Sequence, residues 1–337
     1  MEQRYFRNKI TFLNIVMTIL IVILHAQSPE RFGMHLNWDY PFIYSISMLC
    51  RVATPMFFFI SALLFFKECT FNDLERKFSS RIRSLLIPYI VWNIIFVLLF
   101  FILSHTPCFA SKMNVGEILN SPKEIVRAVL NSYHTDLWFV RNLMFYVLLA
   151  PIILLLFKKK KNAIIVLCIS FCIAILVESE YKSLLRWFPI YLSGAILGYF
   201  NNIMSFHLYA RKLSNFSLIC MCMSFIAVYI YTLWSNSDIA ITYASPILIW
   251  TLSDAFLYKY ISSFQEKKWM HYSFFIFCSH HFVLNVLQKL VVLSFVPTRL
   301  VINLTFILSP FITIPLLCVV AKYLSRFQFY AYLSGGR

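Results

Sequence analysis

An all-α bundle of about ten membrane-spanning helices, with both chain ends on the cytoplasmic side, is the fold class this sequence predicts. Three observations carry it. The 337 residues are 60% hydrophobic and only 13% charged, about half the charged fraction of a water-soluble domain. Apolar runs of about 20 residues, enough to cross a ~30 Å hydrocarbon core, recur along the whole sequence. Lys and Arg gather in alternate connections between those runs, the pattern that sets topology in a bilayer. Residues 1–337 therefore read as a single integral membrane domain.

The first run, Ile10 to His25, follows Arg4, Arg7 and Lys9. It resembles the start of a signal peptide, but no small-residue cleavage site follows, so it is expected to stay as an anchor. Further expected spans are Tyr40–Phe66, Ser84–Ser104, Leu137–Phe157, Asn162–Val177, Leu184–Phe200, Ser214–Trp234, Ile239–Ile261, His271–Phe295 and Leu300–Leu324. With these boundaries twenty basic residues fall in one set of connections, seven in the alternate set, and Arg51, Arg141 and Lys289 inside spans. An even number of crossings with that bias puts both termini in the cytoplasm. The net charge of +16 would suggest nucleic acid in a soluble protein; here topology accounts for it, and no nucleic-acid partner is expected.

Three smaller features are read structurally. Ser121-Pro122-Lys123-Glu124 has an N-cap Ser, a Pro at the first helical position and a Glu three residues after the cap, predicting a short amphipathic surface helix. The pair Gly194-x-x-x-Gly198 predicts close helix packing. The nine Cys lack the His and carboxylate companions of a metal site and are read as small hydrophobes; no metal is expected.

Ionisable groups inside spans are costly and usually face a bundle interior or aqueous cavity. His25 lies ~22 Å above the cytoplasmic edge of span one by residue counting, with Arg51 and His280 close to the midplane. Arg141 stands near the outer end of span four. A lone intramembrane His is often only a helix contact, and Lys289 can snorkel; Arg51 needs an anionic or carbonyl partner from protein or ligand. Asp254 near the inner end of span eight has a neighbouring loop cation as its expected partner.

These residues sit in segments that resemble the membrane acyltransferase-3 family. Span one ends in "TFLNIVMTILIVILHA", span two contains "RVATPMFFFISALLFF", and span three is entered through "RIRSLLIPYIVW". Span four opens with "DLWFVRNLMFYVLLAPII", span six with "FPIYLSGAILGYF" and span nine with "SFFIFCSHHFVLN". The order and spacing of these segments are more specific than any one of them. The chain departs from the family in Asn14, where an Arg is common, in Ala62, where Gly is usual, and in His281, where Pro often follows the late His.

The resemblance implies transfer of an acyl group, most simply acetyl from acetyl-CoA, to a hydroxyl of a cell-surface or lipid-linked saccharide at a bacterial cytoplasmic membrane. A neutral imidazole is the expected general base for so weak a nucleophile. His25 is the candidate, with Arg51 or Arg141 stabilising the oxyanion or orienting the donor. His280 is a second proton carrier or orienting partner, Trp138 a surface for sugar stacking, and Asn14 a hydrogen-bond donor on the substrate path. Arg76, Lys77, Arg81 and Arg83 are placed to meet the phosphates of CoA, although the topology bias alone explains their charge. No tightly bound cofactor is expected, and a covalent acyl-histidine and direct transfer both stay open. The alternative is a transporter or flippase for a saccharide or lipid-linked glycan. Against it stand the lack of an evident internal repeat and the few Gly or Pro interruptions of paired spans.

Overall fold

A computed structural model of the chain describes residues 2–104, 135–176, 183–200 and 213–336, with Ser121, Lys123 and Val126. Helices follow one another as α1 (Glu2–His25), α2 (Ser28–Arg31), α3 (Pro41–Cys50), α4 (Ala53–Phe66), α5 (Leu74–Arg81), α6 (Ile87–Ser104), α7 (Trp138–Leu148) and α8 (Ala150–Phe157). They continue as α9 (Lys160–Leu176), α10 (Leu184–Phe200), α11 (Asn215–Ser235), α12 (Ile239–Phe256), α13 (Tyr258–Ser263), α14 (Ser273–Ser294), α15 (Arg299–Leu324) and α16 (Tyr330–Ser334). Among the described residues there is no strand. The surface helix expected from Ser121 onward, and Cys108, lie essentially outside the described residues; none of the described cysteines forms a disulfide.

Among the described residues, seven stretches are long and apolar enough to cross a membrane: Gln3–Arg31, Pro41–Phe66, Phe71–Leu99, Asn215–Ser235, Ile239–Phe256, Lys268–Ser294 and Arg299–Leu324. α7 and α8 make an eighth if they are taken as one broken span. The other two segments anticipated from sequence are α9 and α10, of 17 residues each, about 25 Å long at 1.5 Å per residue. The protein is an all-α polytopic membrane bundle.

Within the second span a two-residue turn separates α3 from α4, for an identifiable reason. Pro55 has no N–H to give the carbonyl of Arg51, and the chain turns there through short-range bonds, Arg51 N–H to Met48 O at 3.4 Å and Val52 N–H to Leu49 O at 3.3 Å. Arg51 is thus the C-cap of α3 and stands just before α4. Other ends follow ordinary capping chemistry. Ser214 accepts a bond from the Ser217 N–H at the start of α11, and Asn236, at φ 51°, closes it in the left-handed region that Asn tolerates.

The chain divides into two compact units, residues 1–70 with 152–321, and residues 71–151 with 322–337. In the first, α4 and α10 pack closest. A Cβ on Gly194 would overlap the carbonyl oxygen of Phe59, and one on Gly198 that of Leu63, so the glycine pair permits backbone contact as its spacing predicts. Both contacts advance by four residues, so the helices run parallel and in register.

At one end of this unit α1 meets the last turns of α12 antiparallel. Lys9 Nζ lies 2.7 Å from Asp254 Oδ1, donates to the Trp250 carbonyl at 2.8 Å and sits 3.6 Å from the centre of the Trp250 ring. Tyr5 Oη donates to the same carboxylate at 2.6 Å. Lys9 is 1% and Asp254 0% exposed. Lys9, assigned from sequence to the connection before span one, is therefore a buried ion-pair partner rather than a topology charge.

In the second unit, Pro88 removes the N–H that Ser84 O would otherwise accept, and residues Ile82–Leu86 widen into a π turn. Gly335, at φ +72°, comes down on that carbonyl; a Cβ there would lie 2.6 Å from Ser84 O. Trp92 Nε1 donates to Leu333 O at 3.0 Å alongside, so the returning C-terminal segment docks on the entry to α6.

Candidate active site

His25 ends α1, and two buried bonds fix that end: Gln288 of α14 donates to Ala26 O at 2.9 Å, and Ser28 Oγ donates to Ile302 O at 2.7 Å. α14 runs beside α1 and brings His280, fully buried, against His25. His280 Nε2 is 3.0 Å from His25 Nδ1, with ring centres 5.0 Å apart.

The tautomers follow from the partners. His280 Nδ1 faces two carbonyls, Phe277 O at 2.7 Å and Ile276 O at 3.1 Å. Carbonyls only accept, so this nitrogen carries the proton and neutral His280 is bare at Nε2. That bare nitrogen faces His25 Nδ1, which must be the donor and is also 3.0 Å from Ile21 O. In neutral His25 with Nδ1 donating, the basic lone pair is the one on Nε2, the atom a general base uses. The ring of the adjacent His281 lies 5.1 Å from that of His25 and is tilted to it by 34°, and Arg31 Nη2 lies 3.2 Å from His281 Nε2.

Arg51 belongs to a different cluster. Its Nη1 lies 2.9 Å from Asp238 Oδ2, while Arg186 Nη2 lies 2.5 Å from Asp238 Oδ1. The parallel register explains the meeting: Arg51 precedes Phe59 by eight residues, and Arg186 precedes Gly194 by eight, so both cations reach the same level. Asp238, at the head of α12, lies between them. Burial would raise its carboxyl, but the guanidiniums of Arg51 and Arg186 outweigh that and hold it below the ordinary carboxylate range. The anionic partner expected for Arg51 is thus a protein carboxylate. Asp238 and Asp254 are 16 residues apart on α12, as are His25 and Lys9 on α1. With Lys9 on Asp254 and the helices antiparallel, Asp238 and His25 stand at about the same level, roughly 24 Å from the Lys9 pair.

The remaining candidates are not drawn to the His25–His280 pair within the first unit. Asn14 lies about 16 Å back along α1; its carbonyl accepts from Thr18 Oγ1 at 2.8 Å. Trp138 and Arg141 belong to the second unit, three residues apart on one face of α7, with Arg141 Nε and Nη2 at 3.3 and 3.2 Å from Asn142 Oδ1. There too, Arg76 pairs with Asp73 at 2.9 Å and Arg83 Nη2 donates to Ser79 Oγ at 3.1 Å. Arg81 ends α5, with Lys77 one turn before it.

Arg31, Arg186 and Asp238 are absent from the sequence-derived candidates. Asp238 carried a usable signal, a lone acid at the first turn of an apolar run in a chain with only 14 acidic residues. Arg186 and Arg31 read in the sequence as ordinary cations of the connections.

Comparison with curated proteins and with solved structures gives no match to either. The family model described as an acyltransferase domain matches residues 7–324. A match over nearly the whole chain, spanning both histidines and both units, makes this protein a member of the acyltransferase-3 family of membrane acyltransferases.

Proposed function

We propose that the protein transfers an acetyl group from acetyl-CoA to a hydroxyl of a cell-surface or lipid-linked saccharide, working in a bacterial cytoplasmic membrane with both chain ends in the cytoplasm. The observation that carries this reading is the His25–His280 pair, because the contact of His280 Nε2 with His25 Nδ1 holds the His25 ring in one orientation, in which the neutral tautomer has its basic nitrogen at Nε2. In the proposed step His25 Nε2 takes the proton of the acceptor hydroxyl as its oxygen attacks the thioester carbonyl. The carbon–sulfur bond then breaks, and the coenzyme A thiolate leaves as the thiol with that proton. His280 holds the ring of His25 and accepts the Nδ1 proton's hydrogen bond as positive charge develops. Arg141 and Trp138 orient the reacting groups, and Arg76, Lys77, Arg81 and Arg83 draw the phosphates of the donor.

The test measures acetyl ester on cell-surface polysaccharide in cells carrying the wild type or His25→Ala, with protein level checked in the membrane fraction. Loss of ester with protein retained supports the base; ester at the wild-type level removes His25 from that role. Labelled acetyl-CoA given to purified protein with glycan separates turnover from the transport alternative, which moves glycan without forming ester.

A further inference from the structure

From the turn between α8 and α9, we infer that Lys158, Lys159, Lys160 and Lys161 form a docking surface for an anionic phospholipid, held by its headgroup phosphate. The inference rests on the membrane bundle alone and is independent of the acyltransferase chemistry.

The charge is concentrated, and nothing beside it offsets it. The four lysines are consecutive and exposed, and no acidic residue occurs in the sequence between Asp136 and Glu178. Among the described residues none of the four side chains meets a hydrogen-bond or ion-pair partner. Like charges at consecutive exposed positions hold a positive potential at that surface, which anions relieve. Orientation of the chain does not require them. Without this run the cations of the same set of connections still outnumber those of the alternate set.

The turn has a packed base. Phe157, the last residue of α8, is buried, and its ring centre lies 5.6 Å from that of Phe66, 5.1 Å from Tyr199 and 5.3 Å from Phe200. Asn162 N–H reaches Lys159 O at 3.0 Å and Ala163 N–H the same carbonyl at 3.3 Å, so α9 starts directly after the turn. The ends of α4, α8 and α10 thus carry the lysines at one end of the first unit. The same end holds the first turns of α1, because Lys67, which follows α4, has its Nζ 4.9 Å from the Phe6 ring centre. With the proposed topology it faces the cytoplasmic leaflet.

Away from the turn the surface becomes apolar. Ile152 and Leu155 are exposed one turn apart on α8, and Ile165 and Ile169 one turn apart on α9. A phospholipid needs both parts: an apolar wall for its acyl chains and cations at the level of its phosphate. Lysine stems lie along such a wall and leave their ammonium groups at the headgroup level. Each lysine near an anionic surface strengthens binding about fivefold. A soluble anion gains only the cations, so the adjoining wall selects lipid.

The experiment counts lipids bound to the full chain in detergent by native mass spectrometry, after titration with phosphatidylglycerol, cardiolipin or phosphatidylcholine. Wild type should bind at least one of the anionic lipids about tenfold or more tightly than phosphatidylcholine, and the preference should shrink as salt rises. Lys158→Gln, Lys159→Gln, Lys160→Gln and Lys161→Gln combined should abolish the preference, and Arg at all four positions should keep it. Lys259→Gln, Lys267→Gln and Lys268→Gln combined, which remove exposed lysines of another connection, should leave it in place. No anionic preference in wild type, or a preference kept after the first combination, overturns the site. So does an equal loss in the second combination, which would mean that net charge and not this turn attracts the lipid. Inorganic phosphate at the same phosphate concentration should leave the lipid bound; displacement would make the run a site for soluble anions and overturn the lipid reading. If the first combination does not fold, Lys158→Gln with Lys161→Gln decides: the preference should fall severalfold, and an unchanged preference overturns the site.

Discussion

His280 Nε2 lies 3.0 Å from His25 Nδ1, and two backbone carbonyls fix the proton of His280 on its far nitrogen. One buried ring thereby sets the tautomer of the other. The relationship is directional: His280 orients the ring, and His25 is the base of the proposed reaction.

That direction separates the two histidines kinetically. His25→Ala should lower turnover about 10²–10⁴-fold, the usual contribution of a positioned general base. His280→Ala should cost about tenfold to a hundredfold, the rate equivalent of one lost buried hydrogen bond of ~1–3 kcal/mol. His280→Gln keeps an acceptor for the His25 Nδ1 proton and should recover part of that loss. Measured kcat for the three variants checks the order; equal losses in His280→Ala and His280→Gln would remove the orienting role.

The contact between α4 and α10 gives a stability prediction. A side chain at Gly194 must displace the Phe59 backbone, not a flexible side chain. Gly194→Val should therefore destabilise the folded protein by about 1–3 kcal/mol or more, and should also disturb the level match of Arg51 and Arg186. Thermal unfolding in detergent measures the first effect. A variant as stable as wild type would mean the parallel packing is looser than described.

Helix content was legible in the sequence because apolar length and charge sidedness are local properties. Gly194 and Gly198 were legible for the same reason, since their spacing alone implies close approach. Partners across the fold were not. Lys9 and Asp254 are 245 positions apart, and in the sequence Lys9 reads as one more flanking cation; only the packing of α1 against α12 buries it. Counting along span two gives Arg51 a depth but not its partner Asp238, 187 positions away. The two histidines entered as separate candidates from a family pattern; their hydrogen bond depends on the lateral packing of α1 and α14, which neither segment encodes alone.

The Lys9–Asp254 pair follows the logic of buried charges. Removing one partner leaves the other unpaired in a dry site, so Lys9→Met should cost about 3–5 kcal/mol. Replacing both, as in Lys9→Met with Asp254→Leu, should recover much of that loss, because the desolvation cost disappears with the charges. Unfolding midpoints of the single and double variants form the cycle. A double variant no more stable than Lys9→Met would show that the Trp250 and Tyr5 contacts, not the charge pair, dominate.

Asp238 sets the sign of an acid response. Its carboxyl is burdened by burial but held below the ordinary range by Arg51 and Arg186, so in the acid window the unfolded chain binds the proton more readily than the folded one. The stabilisation is fully present above the unfolded value of about 3.9. It is lost as pH falls through the depressed folded value, because stability rises with pH wherever the unfolded state holds more protons. Asp238→Asn has no such group and should be less stable than wild type near neutrality. The gap in unfolding midpoint between the two proteins should narrow as pH drops below about 4. A gap that stays constant to the acid limit would mean that the carboxylate contributes nothing beyond what the amide supplies.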